Sequence, residues 1–307
     1  MKYLFNRKLI LALSVALTSN IALSNPAWSN ETTDGFDVNT LIESSLNTAL
    51  IEKQLSFRQR AFTDIVEPEY TADDIQAEII FGRELASKIL GRYPVLRDDK
   101  LNDYVSHVGH TLAQFSQRPE LTYYFIVLNT DEINAYAAPG GYVFITKGAL
   151  NKAQNEAQLA AILAHEMGHI EARHYVRAIG LRGTNANADN SLTAILSGGG
   201  NAAVVAFNQA VSQAMEILFE KGLQSKQDEF EADAASVWLL VNAGYQPSAL
   251  ADYFVMLSGT PNNQTQVLSN THPPMNERIT ELQNILNEHG LDGLRLATLE
   301  ERLNEHR

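Results

Sequence analysis

The sequence predicts a mainly α-helical domain with a small β-sheet, an α+β fold, on three observations. From Asp73 onward apolar residues return at helical spacing over long stretches. Two short runs, Leu121 to Leu128 and Tyr142 to Thr146, carry the β-branched and aromatic residues of strands. His165-Glu166-Met167-Gly168-His169 lies inside one of the helical stretches, where two histidines four apart leave the same face, separated by about 40° around the axis.

The elements follow in order. Lys2, Arg7 and Lys8, an apolar run from Leu9 to Leu23 and the ending Ala27-Trp28-Ser29 read as a secretory signal peptide over residues 1–29. Cleavage is expected after Ser29, with Ala22-Leu23-Ser24 as a second site. The run is too short and too polar toward its end to span a membrane comfortably, and a chain with no cysteine has no lipid attachment point of the N-terminal-cysteine kind. Its removal takes three basic residues from a chain of net charge −13, leaving −16. So acidic a surface disfavours nucleic acid and anionic lipid as general partners. Exported without cysteine, the protein is expected to rely on packing and a metal for stability.

Residues 30–70 form a polar extension, weakly amphipathic and helical from Leu41 to Leu55. A helix over Asp73–Leu90 is broken by Gly91-Arg92-Tyr93-Pro94, and a second runs from Asp98 to about Phe115. His107 and His110 lie three apart on it with no base or third ligand, and are read as ordinary helix residues. The Leu121–Leu128 strand ends in the Asn129-Thr130-Asp131 turn. Asn134 to Ala138 is extended and small-chained, and Pro139-Gly140-Gly141 turns into the Tyr142–Thr146 strand. Asn155 caps the next helix, whose apolar stripe is Leu159, Ile162, Leu163, Met167 and Ile170, and Gly180 is its natural stop. Gly168, about 1 kcal/mol worse than alanine inside a helix, implies that something packs hard against it. Residues 183–222, with Gly198-Gly199-Gly200 and no charge from Asn190 to Met215, read as a lid over the active site rather than a membrane span. A further helix begins at Asp228 and ends at Asn242-Ala243-Gly244-Tyr245, and Pro247 helps to start another. Pro261-Asn262-Asn263 is a loop, and Asn276–His289 closes the domain with Ile279, Leu282, Ile285 and Leu286 on its buried face. Residues 71–290 form the catalytic domain and 291–307 a tail.

Two neutral imidazoles on one helical face make half of a tetrahedral zinc site, and the glutamate after the first can take a proton from water at the metal. Glu229 is the candidate third ligand. Asp233, four residues on, shares its face and is placed to accept an imidazole N–H. An acidic helix start favoured by the macrodipole would look the same in isolation. Glu231 points elsewhere and reads as a solvated charge. Asn134, Ala135 and Tyr136 are assigned to substrate binding, because zinc proteases add peptide as a strand at a sheet edge beside the metal.

His165-Glu166-Met167-Gly168-His169, the Glu229-to-Asp233 segment, Thr271-His272-Pro273 and the Asn134–Tyr142 stretch together resemble the HtpX-like zinc metallopeptidases, gluzincins that include the CAAX prenyl proteases and the periplasmic BepA-type proteases. The resemblance runs from about Ala77 to Leu286 and lacks the C-terminal helical repeats of some relatives. It implies a zincin-like domain with one Zn2+ per subunit held by His165, His169 and Glu229. Glu166 is then the general base, and Asp233 has a supporting or proton-donating role. His272 takes a place at the metal's open side, as an inhibitory plug or, alternatively, a stabiliser of the oxyanion. Lys226 stands where relatives commonly have arginine, which puts an ion pair near the site in doubt. The expected function is zinc-dependent endoproteolysis in the periplasm, on unfolded or misassembled envelope and outer-membrane proteins. Peripheral contact with the outer membrane or its assembly machinery is expected, and contact with nucleic acid is not. The rival readings are a chaperone-like periplasmic binding protein with little turnover and a structural zinc protein. Structural sites favour four closed ligands, often thiolates, which this chain lacks.

Overall fold

A computed structural model describes residues 70–179, 195–196, 198, 200–223, 225–260 and 268–307. The expected signal peptide, the extension up to residue 69, residues 183–194 of the expected lid and the Pro261-Asn262-Asn263 loop lie outside them.

Helix α1 (Ala72–Arg92) starts on a reciprocal cap: the Thr71 hydroxyl accepts the Asp74 N–H, and the Asp74 carboxylate accepts the Thr71 N–H. Helix α2 (Asp99–Ala113) starts on Asp98, whose carboxylate accepts the Leu101 N–H. Each buries one stripe, Phe81, Leu85 and Ile89 on α1 and Val105, Val108 and Leu112 on α2. His107 and His110 remain on the exposed side of α2.

Strands β1 (Tyr124–Leu128), β2 (Ala135–Ala138) and β3 (Tyr142–Thr146) form one sheet in the order β1-β3-β2. β1 runs parallel to β3, and β2 pairs antiparallel with it, Ala135 opposite Ile145 and Ala138 opposite Tyr142. The segment expected to be merely extended is therefore an edge strand of a hairpin. Its turn needs Gly140 and Gly141 at φ 77° and 102°, a region closed to most side chains.

The Thr146 hydroxyl ends the sheet by accepting the Ala149 N–H at the start of α3 (Lys147–Lys152). Next comes α4 (Glu156–Glu171), capped by the Asn155 side chain as expected and buried from Glu156 to Ile170. A helix enclosed on every side needs small residues where neighbours approach, and Ala157, Ala160, Ala161 and Ala164 provide them. Gly180 is not its stop. α4 ends at Glu171 and Arg173 adopts a left-handed φ of 56°, from which a separate helix α5 (His174–Ala178) departs. Arg173 is held there by an ion pair to Glu78 on α1 at 3.0 Å.

Helix α6 (Gly200–Glu216) continues into a π-helical turn, Ile217–Lys221. Together they make 22 residues, with an 18-residue stretch of mean hydropathy 1.3, long and apolar enough to cross a membrane. One side packs on the domain, Phe207 edge-on to Phe81 and Phe219 against Tyr93 and Tyr136, while Val204 and Val205 are exposed. Helix α7 (Lys226–Ala243) runs from the Ser225 cap to a left-handed Gly244. It lies against α4 so closely that a Cβ on Gly168 would stand 3.0 Å from the Ala232 Cα and carbonyl oxygen. This is the tight contact that the glycine implied.

Helices α8 (Ala249–Ser258), α9 (Met275–Glu288) and α10 (Glu300–Asn304) complete the domain. The final segment is tied in: Leu303 is fully buried and Arg302 pairs with Glu156, the first residue of α4. Glu156 also accepts the hydroxyls of Tyr104 (2.7 Å) and Tyr245 (2.5 Å).

Candidate metal centre

α4 and α7 bring His165, His169 and Glu229 together, all buried and with ligand atoms within 4.8 Å of one another. The two imidazole Nε2 atoms are 3.0 Å apart, and the Glu229 oxygens lie 3.7 Å from His165 Nε2 and 3.6 Å from His169 Nε2. Ligands about 2.0–2.1 Å from a tetrahedral zinc ion sit roughly 3.3 Å from each other. The three separations bracket that value.

The electrostatics point the same way. Burial pushes the Glu229 carboxyl up to about 8 against the pull of Arg278, and its Oε2 has no hydrogen-bond partner among the described residues. A buried carboxylate oxygen left without a donor is expensive, and a cation at this point removes the cost. Burial, followed by the Glu229 charge, likewise pushes Glu166 up to about 8. Burial holds His165 below its ordinary range and His169 well below it, so both imidazoles are neutral, as metal ligands must be. The residues present fit zinc.

His165 Nδ1 donates to Asp233 Oδ1 at 2.9 Å. Burial alone would raise the Asp233 carboxyl, but Arg278 and His165 hold it down at about 2. Arg278 grips Asp233 with two bonds, Nε to Oδ2 at 2.9 Å and Nη2 to Oδ1 at 2.6 Å. Its Nη1 stands 3.6 Å from Glu229 Oε2 and its guanidinium lies over Phe254, 4.3 Å from the ring centre. Sequence reasoning missed this residue. The signal was there: Arg278, Leu282 and Leu286 are spaced four apart, and they are the buried stripe of α9.

His272 presents Nε2 to the same centre, 3.8 Å from Glu229 Oε2, with its ring 6.2 Å from that of His165. Its Nδ1 is engaged by the Leu268 carbonyl and the Thr271 hydroxyl. Asn134 and Ala135 join His165, Glu166, His272 and Arg278 in lining one cleft. Both amide atoms of the buried Asn134 side chain lack partners among the described residues. Tyr136 instead packs between Tyr93 and Phe219. Lys226 bonds Glu277 at 2.8 Å on the surface.

One expectation needs correction. Glu231 is not a free solvated charge: its Oε2 accepts from His174 Nε2 at 3.0 Å and from Arg177 at 3.2 Å. His174, which sequence reasoning passed over, is fully buried, and its Nδ1 is 2.8 Å from Nδ1 of His169.

Two histidines one helical turn apart, completed by a glutamate from a second helix, form the donor set of a catalytic zinc hydrolase. The chain belongs to peptidase family M48, whose model matches residues 99–286. It is similar to the putative β-barrel assembly-enhancing protease of Vibrio cholerae, 28% identical over 214 residues, which are 67% of this chain and 43% of that protein. The β-barrel assembly-enhancing protease of Escherichia coli O157:H7 is 28% identical over 221 residues, 70% of this chain and 45% of that protein. Metalloprotease YcaL of Escherichia coli K12 is 22% identical over 278 residues, 91% of this chain and 96% of that protein. The chain thus spans under half the length of the two β-barrel assembly-enhancing proteases. The sequence resemblance to HtpX-like metallopeptidases is borne out, and with it the zinc-dependent metalloprotease class.

Proposed function

We propose that this chain is a periplasmic zinc metalloendopeptidase acting on misassembled envelope proteins, with His165, His169 and Glu229 as ligands and Glu166 as general base. The observation that carries this reading is the buried ring of three ligand atoms, with Glu166 beside it in the same cleft. When bound, zinc supplies Lewis acidity, polarising the scissile carbonyl and acidifying water. Glu166 takes the proton of the attacking water at a carboxylate oxygen and delivers it to the leaving amine nitrogen. Asp233 fixes the His165 ring through Nδ1. A carboxyl held near 2 stays an acceptor, which favours its supporting role over proton donation. Peptide adds alongside β2, and the unpartnered Asn134 amide meets its backbone. α6 and its π-helical turn cover the Tyr136 end of β2, in keeping with a lid.

His272 acts as a plug. With Nδ1 engaged by the Leu268 carbonyl, its proton sits there and Nε2 offers a lone pair toward the metal side. The signal peptide at residues 1–29 supports export, and similarity to β-barrel assembly-enhancing proteases supports substrates among outer-membrane proteins. The deciding experiment uses Glu166→Gln. The variant should keep zinc, lose casein and peptide cleavage by orders of magnitude, and retain envelope proteins when captured from cells. Parental turnover by this variant would sink the mechanism. Capture of cytoplasmic proteins alone would sink the location.

A further inference from the structure

The geometry points to His174 and Glu231 as an orienting relay for His169, an imidazole–carboxylate pair that fixes the tautomer and direction of this ligand. The inference rests on reading His169 as a zinc ligand through Nε2.

The backbone supplies the first argument. In an uninterrupted helix a residue five positions on lies about 140° around the axis, facing away. His174 could not then reach His169. The left-handed Arg173 breaks α4 at that point and swings His174 back until its Nδ1 is 2.8 Å from Nδ1 of His169. A non-glycine residue in that conformation is strained, because its Cβ crowds the following carbonyl, and the Glu78 ion pair holds it in place. Strain of this kind persists only where the surroundings over-determine it.

Proton accounting supplies the second. His169 Nε2 faces His165 Nε2 and Glu229, so as a ligand it carries its proton on Nδ1. That Nδ1–H donates to His174 Nδ1, which must then hold a lone pair. His174 is therefore protonated on Nε2, where Glu231 Oε2 accepts at 3.0 Å. One assignment satisfies both bonds, and the reverse assignment removes His169 from the metal. His165 has its carboxylate directly, in Asp233; His169 has one at a distance of one imidazole. Arg177 completes the arm, bonding Glu231 at 3.2 Å and Asp228 at 3.1 Å. His174, Asp228 and Glu231 are near enough to one another to hold a second cation. The guanidinium of Arg177 already bridges the two carboxylates, which favours the relay over a metal.

The test measures zinc affinity by chelator competition for the full chain, Glu231→Gln, His174→Phe and the double variant, with zinc stoichiometry and melting temperatures of the metal-free forms. Loss of such outer partners typically weakens metal binding by about 10–100-fold. Each single variant should therefore bind zinc at least about tenfold more weakly. Adding Glu231→Gln to His174→Phe should change nothing further, since the carboxylate acts only through the ring. Additive losses, or two zinc ions in the parent, overturn the relay. Because His174→Phe fills a buried site and could fail to fold, the histidine tautomers of the zinc-loaded parent provide a second readout by nitrogen-15 NMR. His169 should carry its proton on Nδ1 and His174 on Nε2; any other pair refutes the relay. If His169→Ala leaves zinc binding intact, the ligand reading fails instead, and the two failures are distinguishable.

Discussion

Gly168→Ala tests whether the contact between α4 and α7 sets the metal centre. Two effects of known sign compete. Alanine is better than glycine in a helix interior by about 1 kcal/mol, so on an exposed helix the variant would be more stable. Here the new Cβ would stand 3.0 Å from the Ala232 Cα, the Ala232 carbonyl oxygen and the Ala235 Cβ. Ordinary carbon contacts are about 3.5–4.0 Å, so the helices must part by roughly half an ångström. Two of the three obstacles are backbone atoms of a buried helix, and neither can rotate away. Overpacking of this kind costs about 1–3 kcal/mol, which at least offsets the propensity gain.

The geometric consequence matters more than the stability. Glu229 rides on α7 three residues before Ala232, while His165 and His169 ride on α4 on either side of Gly168. Parting the helices lengthens both Glu229 separations, now 3.7 and 3.6 Å, and leaves the 3.0 Å between the histidines alone. The expected outcome is a melting temperature lowered by up to about 8 °C, from a net loss of up to about 2 kcal/mol, and zinc affinity reduced beyond what the stability loss explains. Thermal denaturation of the metal-free form and chelator competition measure the two separately. A variant more stable by about 1 kcal/mol with unchanged zinc affinity would refute the reasoning, because it would show slack between the helices.

Three other outcomes are expected. Glu229→Ala removes the proposed anionic ligand and should bring zinc content in elemental analysis close to nil, with helical circular dichroism retained. His272→Ala should raise basal cleavage or self-cleavage with zinc fully bound; a fall in kcat at unchanged KM would assign His272 to the transition state instead. Glu156 governs the acid response of the C-terminal segment. Burial alone would raise its carboxyl, but bonds from Arg302, Tyr245 and Tyr104 carry it below the usual range. Its contribution is thus fully present above the unfolded-state pKa and lost as pH falls through the lower folded-state value. Glu156→Gln should abolish that acid-dependent part of stability, read as melting temperature against pH, and cost about 2 kcal/mol at neutral pH.

Much of the fold and centre could be read from residue pattern because local rules governed them. Asn155 capped α4, a buried stripe marked α1 and α2, and the four-residue spacing of His165 and His169 put both rings on one face. What escaped was set by tertiary contact. The extended segment at Ala135 became a strand because β3 offered it an edge. α4 stopped at Glu171 rather than Gly180 because Glu78, on a helix far back in the chain, held Arg173 in a left-handed turn. Glu231 looked solvated because its partner, His174, reached it only through that turn. Arg278 stayed hidden because an arginine within an apolar stripe is ordinarily discounted, and nothing local announces the buried aspartate that it meets.

The two imidazoles are supported unequally, and the difference bears on how the centre responds to its surroundings. His165 leans on Asp233, and Asp233 on Arg278, a chain closed to solvent at every link. His169 leans on His174, and His174 on Glu231, whose side chain is half exposed beside Arg177. In the first arm the positive charge of Arg278 is desolvated and its hold on Asp233 is little screened by salt. In the second the terminal ion pair is half exposed, so water's high dielectric and dissolved salt leave it little of its Coulomb energy. Arg278 is committed to Asp233 by two hydrogen bonds and only stands 3.6 Å from Glu229, so Glu229 and Glu166 remain as carboxylates of the centre whose charge a divalent cation balances. On the proposed ligand set, the closed arm therefore fixes where the metal sits. The open arm, ending at the surface, is where salt or a contacting protein can alter how firmly it is held.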